Sequence, residues 1–301
     1  MRLTRLLMGG AALTLLGTVT SSATASAAAK PNIVIGLANF EEQAIVGNIY
    51  GDVLSHAGYP VTVEPALGAR AIVVPAIEKG QISLEPDYAG SLVNFLNGGN
   101  STPKANSITT AVSSLKSTLG KYGVTVLTPA PALDTNVFVV TKATAAKYHL
   151  TTISSLKSVA SKFILGGPPE CPSNAGCLVG LQKTYGLKFA SFKSTDEAGP
   201  ISVADLKNNA VQVVELFSSD GNVVNNNFVA LTDNKHLEAA DYITPIIRKS
   251  VDTPAVAALI NKVSAKLTTA QISKLNVLVT GPQKESPALV AQNWLKAEHL
   301  I

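Results

Sequence analysis

The chain predicts an α/β fold, and three observations carry that expectation. Short apolar segments of strand length alternate with stretches of helical periodicity along almost the whole sequence. Glycines follow the periodic stretches where a helix would stop, as at Gly58, Gly80 and Asn97-Gly98-Gly99. Neither an internal repeat nor a long low-complexity tract breaks the pattern. Strands alternating with helices argue for mostly parallel sheets with helices on both faces.

Taken in order, Ile33–Leu37, Val61–Glu64 and Ile82–Glu85 read as short buried strands. Between the first two, Glu41–His56 carries Ile45, Val46, Ile49, Val53 and Leu54 on one helical face. Glu41 and Glu42 fall in its first turn and His56 in its last, where their charges suit the helix dipole. Such adjacent acids could pair across a cleft, but at a helix start they read first as solvated caps. Helices follow at Ala71–Glu78, Ser91–Leu96 and Ser107–Lys121, then a strand at Val124–Leu127. A proline-rich turn, Pro129-Ala130-Pro131, leads into the strand Asn136–Thr141. Beyond a further helix come strand Phe163–Leu165, a cysteine-bearing loop and helix Leu178–Tyr185. Another strand, helix Val203–Asn208 and strand Val211–Phe217 follow. Phe228–Thr232 and Tyr242–Arg248 carry the chain back, and helices Val256–Leu267, Ala270–Val277 and Ala288–Glu298 close it. Trp294, on the last of these, is expected to pack on a surface.

The first residues read as an export signal rather than as part of the fold. Arg2 and Arg5 precede an apolar run, Leu6 to Val19, and Ala25-Ser26-Ala27 is a small-residue cleavage site. The run is short for a membrane span; uncleaved, it would act as an anchor. No cysteine lies near the cleavage site to take a lipid, so the chain is expected to be secreted, periplasmic or extracellular, without a lipoprotein anchor. Net charge is +4, two of it from Arg2 and Arg5, which leaves no argument for nucleic acid. The four histidines, His56, His149, His236 and His299, have no partner at metal-ligand spacing. Phosphate-loop, dinucleotide, nucleophile-elbow and zinc-protease motifs are lacking too. Hence neither an enzyme nor a metal or cofactor is expected. The two cysteines, Cys171 and Cys177, stand in CPSNAGC. An exported chain meets an oxidising compartment, so a local disulfide is predicted. Its spacing is not that of a redox pair.

Four blocks carry a family resemblance. They are IVIGLANF through PDYAG (Ile33 to Gly90), GGPPECPSNAGCLVGLQKTYGLKF (Gly166 to Phe189), ELFSSDG (Glu215 to Gly221) and LTDNKHLEAADYITPIIR (Leu231 to Arg248). In that order they resemble the substrate-binding proteins of osmoprotectant ABC importers, the glycine betaine/carnitine/choline-binding family. The resemblance implies a type II periplasmic-binding-protein fold. Two lobes joined by two crossover segments would close on a ligand cleft by hinge motion. Residues 28–134 and 233–301 would form lobe 1, and 135–232 lobe 2. It implies a monomer that delivers a compatible solute to a membrane permease and its ATPase. A secreted sensor or scavenger of the same fold, taking a more polar solute, is the alternative.

Quaternary ammonium groups donate no hydrogen bonds and are held by aromatic faces. The family's four-tyrosine box falls here on Tyr88, Asn136, Phe217 and Tyr242. Asn136 replaces a ring with an amide, which suits a polar group on the ligand. Ser91, Asn39 and Ser218 are candidate donors to the ligand, and Phe40 a further wall. Each has a plainer reading: core packing for Tyr88 and Phe217, packing beneath the hinge for Tyr242, a turn for Asn136. Arg70 would face either cleft or solvent, and Asp220 reads as a turn or cap residue.

Overall fold

The computed structural model describes Met1 and residues 29–64, 66–98, 107–238 and 241–301. The expected signal segment, residues 1–27, lies outside the described residues apart from Met1.

Two five-stranded sheets organise the fold. In chain order the strands are β1 (Ile33–Ile35), β2 (Val61–Val63), β3 (Leu84–Tyr88), β4 (Val124–Val126), β5 (Asn136–Val140), β6 (Ile164–Gly167), β7 (Ser191–Ser194), β8 (Val213–Phe217), β9 (Val229–Ala230) and β10 (Ile243–Arg248). The first sheet runs β2-β1-β3-β10-β4 and the second β7-β6-β8-β5-β9. The chain leaves the first sheet after β4, builds the second, and returns with β10.

Both sheets are mixed, which corrects the expectation of mostly parallel pairing. The β2-β1-β3 and β7-β6-β8 portions are parallel. β10 is antiparallel to β3 and β4, and β5 antiparallel to β8 and β9. The reason is directional. β3 and β8 run towards the region between the sheets and end there at Tyr88 and Phe217. β5 and β10 are each the first strand after a crossing, so they begin where those strands end. Asn136 is therefore opposite Phe217, and Ile243 opposite Tyr88.

Eleven α-helices among the described residues cover the sheets: α1 (Glu41–His56), α2 (Arg70–Glu78), α3 (Ala89–Leu96), α4 (Ile108–Leu119), α5 (Lys142–Tyr148), α6 (Leu178–Tyr185), α7 (Pro200–Lys207), α8 (Gly221–Asn225), α9 (Pro254–Ser264), α10 (Thr269–Thr280) and α11 (Pro287–Ala297). One face of the first sheet packs against α1, α9, α10 and α11, the other against α2, α3 and α4. In the second sheet α5 and α6 lie over one core and α7 over the other. Gly58 and Gly80 end their helices at φ 80° and 77°, a conformation that costs an L side chain energy. Thr253 and Ser286 cap α9 and α11, each followed by a proline at the first helical position.

Trp294 is buried at 6% exposure, not on a surface. It shares the first core with Val290, Ala291 and Leu295, because α11 lies along α1. Glu42 is likewise buried at 4% exposure, not solvated.

Cys171 and Cys177 form a disulfide, with Cα atoms 5.1 Å apart. Both are fully buried between β6 and α6. Chain-entropy reasoning for a loop this small gives about 2 kcal/mol. Replacing both cysteines by alanine should therefore lower unfolding free energy in urea by about that amount. An unchanged midpoint and slope would show that the bridge adds nothing to stability.

Candidate ligand-binding site

A cavity of about 220 Å³ lies between the two sheets, lined from both sides. Three rings form one wall. Phe40 sits at the N-cap of α1 with extended backbone (φ −151°, ψ 160°). Its ring lies 5.9 Å from that of Tyr88 and 5.0 Å from that of Phe217, centre to centre. Tyr88 is the last residue of β3 and Phe217 the last of β8, so the ring cluster joins the ends of the two sheets.

Behind the rings, Glu42 gathers polar groups from both sides. The Tyr88 hydroxyl donates to its Oε1 at 2.6 Å. Its Oε2 accepts from the Ser219 hydroxyl and, at 2.6 Å, from Asn276 Nδ2. Ser219 belongs to the turn after β8 and Asn276 to α10. Beside them Asp134 accepts from the Ser218 hydroxyl at 3.0 Å and the Ser219 amide at 2.9 Å. Burial raises both carboxyls above their ordinary range, and Glu42 adds repulsion to Asp134.

Five of the eight candidates, Phe40, Tyr88, Ser91, Asn136 and Phe217, line the cavity. The Ser91 hydroxyl is engaged: it donates to Asp241, which also takes the Gly90 amide at 2.7 Å and so caps α3. Asn136 Nδ2 points to Glu238 Oε2 at 3.4 Å. Tyr242, Asn39 and Ser218 do not line it. Tyr242 is half-buried, bridges to Leu133, and takes the Ala89 amide on its carbonyl at 3.1 Å. Asn39 is exposed, and its amide donates to the Gly68 carbonyl at 3.1 Å. Ser218 is spent on Asp134 and on the Thr135 amide, which donates to its hydroxyl at 3.0 Å. Asp220 caps α8, as a turn residue would.

What local reading missed is acidity. Asp134, Glu170, Glu197, Glu215, Glu238 and Asp241 all line the cavity, with Arg70 as the one guanidinium among its described lining residues. Arg70 grips buried Asp87 through Nε at 3.0 Å and Nη2 at 2.9 Å. Burial, then repulsion from Glu170 and Glu197, pushes the Glu215 carboxyl up to about 8. Burial also raises Asp241 to about 6, against the pull of Ser91. Only Glu215 carried a local signal, a carboxylate inside the buried run Val-Val-Glu-Leu-Phe. Its carboxylate lies with both cysteine sulfurs in a group spanning 4.8 Å. Joined as a disulfide, those sulfurs offer no thiolate to a metal. Chemically, the cavity offers a cation ring faces together with carboxyls that can ionise against it.

Residues 31–297 match the family model described as the substrate-binding domain of the ABC-type glycine betaine transport system. The chain belongs to this family. It is 26% identical to the glycine betaine-binding protein YehZ of Escherichia coli over 266 residues, covering 85% of this chain and 87% of that protein. It is 29% identical to the carnitine transport binding protein OpuCC of Listeria monocytogenes over 275 residues, 89% of this chain and 87% of that protein. A crystal structure of a glycine betaine/carnitine/choline ABC transporter protein superposes with a TM-score of 0.70 at 23% identity, over 90% of this chain and 99% of that one. Apo YehZ from Escherichia coli superposes at 0.65 and 25% identity, over 90% and 99%. The two-lobe α/β fold of these proteins is thus the fold of this family member. No helix among its described residues is long and apolar enough to cross a membrane.

The buried glutamate predicts a pH signature. The folded-state pKa of Glu215 lies above its unfolded value, so its ionisation opposes folding as pH rises from about 4.5 to about 8. Glu215→Gln should therefore gain stability relative to the parent chain across pH 5 to 8 without ligand. Parallel melting profiles over that window would contradict this.

Proposed function

We propose that this chain is the extracytoplasmic solute-binding subunit of an ABC importer. It captures a small ammonium solute, of the class that includes glycine betaine and related quaternary ammonium compounds, and presents it to a permease. The three-ring wall of Phe40, Tyr88 and Phe217 over an acidic cavity is the observation that carries this reading. A cation against such faces gains up to about 2 kcal/mol per ring when desolvated. The relatives named for glycine betaine and carnitine support the same solute class.

The lobes are taken to meet at two crossings, one before Asn136 and one before β10. Leu237 packs in the core beneath the second sheet, so the return crossing follows it in this reading. Asn94 Nδ2 reaches Asn174 Oδ1 at 3.1 Å from the opposite side of the cavity, a contact suited to a closed cleft. Opening would break it, together with the Glu42–Ser219 bond and the tilted Phe40–Phe217 ring contact. Export by the N-terminal segment and action as a monomer complete the reading.

Calorimetric titration with a panel of quaternary ammonium solutes tests it. Tyr88→Ala should weaken binding of the preferred solute at least tenfold, from loss of about 1.4 kcal/mol or more. Circular dichroism would establish that the variant is folded. Unchanged affinity would remove Tyr88 from the site.

A further inference from the structure

The acids of the cavity divide into two groups. Asp134 and Asp241 are satisfied, the first by Ser218 and Ser219, the second by Gly90 and Ser91. Arg70 and Asp87 satisfy each other. The glutamates facing the cavity from the second sheet and its loops are different. Glu215, on β8, is 5% exposed, and its Oε2 has no hydrogen-bond partner. Glu238 has one oxygen near Asn136 at 3.4 Å, while its buried Oε1 has no partner. Glu197 and Glu170 stand around them, the first half-buried and the second exposed.

Buried carboxylate oxygens without donors are costly, and like charges sharing a site make them costlier. Burial raises Glu215, Glu238 and Glu197; Glu170 and Glu197 also repel Glu215, Glu215 repels Glu238, and Glu170 repels Glu197 against the pull of Arg70. The backbone keeps this side clear. A side chain added at Gly176 would stand 3.2 Å from Glu238 Oε2, and one at Gly167 3.3 Å from Glu215 Oε2. A trimethylammonium group cannot satisfy these oxygens, because it has no N–H to give. A ligand carboxylate placed there would bring a further acceptor and a further charge to carboxyls that already repel one another. Arg70, the guanidinium that would answer it, already holds Asp87 by two of its nitrogens.

We propose that the solute carries, at the end remote from the three rings, a protonated amine or guanidinium whose N–H groups hydrogen-bond Glu215 and Glu238, and that a carboxylate at that end is disfavoured. This rests on reading the cleft as the solute site. The ring wall takes the methylated or aliphatic end, and the glutamates take the donating end. Asn136, an amide where the family box has a ring, belongs to the donating side through its contact with Glu238.

A matched pair of probes separates the possibilities. (3-Aminopropyl)trimethylammonium and γ-butyrobetaine share a trimethylammonium end and a three-carbon spacer, and differ in an ammonium against a carboxylate. Titrated calorimetrically into the ligand-stripped chain at pH 7.5, the amine should bind at least tenfold tighter. Glu238→Gln with Glu215→Gln should shrink that ratio towards one, in protein shown to be folded by circular dichroism. Equal or tighter binding of γ-butyrobetaine to the unaltered chain would overturn the inference and leave the ammonium-solute reading intact. Failure of both probes, and of glycine betaine and choline beside them, would overturn both.

Discussion

A carboxylate buried away from water must find donors, a countercharge or a proton. The cleft between the two sheets is arranged around that constraint. Glu42 meets it with three donors drawn from separate elements, the Tyr88 hydroxyl, the Ser219 hydroxyl and the Asn276 amide. One side chain of α1 thereby ties the end of β3 to the turn after β8 and to α10. The same bond to Tyr88 orients a ring of the aromatic wall. Asp134, before β5, and Asp241, before β10, are held by amides and hydroxyls. At Glu215 and Glu238 the protein supplies no such set of donors: Glu215 Oε2 and Glu238 Oε1 have no partner, and burial pushes both carboxyls towards the protonated form.

Strand direction brings these groups together. β3 and β8 deliver Tyr88 and Phe217 to the space between the sheets, while β5 and β10 start from it. Two connections between two sheets oblige the strand after each crossing to run back from the cleft. The antiparallel pairs are thus the geometric consequence of a cleft built at strand ends, where open α/β sheets bind ligands. They also put Asn136 directly beside Phe217, so a polar and an aromatic side chain occupy neighbouring positions on the wall.

Much of this was legible in the sequence, unevenly. Helix α1 could be read to its ends, because apolar spacing, acids in the first turn and Gly58 all agreed. β3 was read as ending at Glu85, yet it continues to Tyr88. Pro86 and Asp87 look like a turn locally, and only pairing with β10 holds them extended. Strand direction leaves no local trace, so the mixed sheets were out of reach. Glu42 and Trp294 looked exposed because what buries them, Asn276 and α1 respectively, lies far away in the chain. Tyr88, Phe217, Asn136 and Ser91 come from family resemblance and Phe40 from its place at the end of the first strand, and all five line the cavity. The acidic lining was missed, since its members come from separate segments and most look like ordinary solvated charges one at a time.

The account makes cation capture an exchange of charge for protons. Without solute, Glu215 holds its proton to about pH 8, under the influence of its burial and of Glu170 and Glu197. Glu238 and Asp241 near it are raised as well. A cation against them lowers those affinities and expels protons. The direct measurement is calorimetry of solute binding at pH 7 in phosphate and in Tris, buffers of very different ionisation enthalpy. A binding enthalpy that differs between them by a net release of protons is the predicted result. Tight binding with the same enthalpy in both buffers would contradict the claim that the cleft holds its solute through these buried acids.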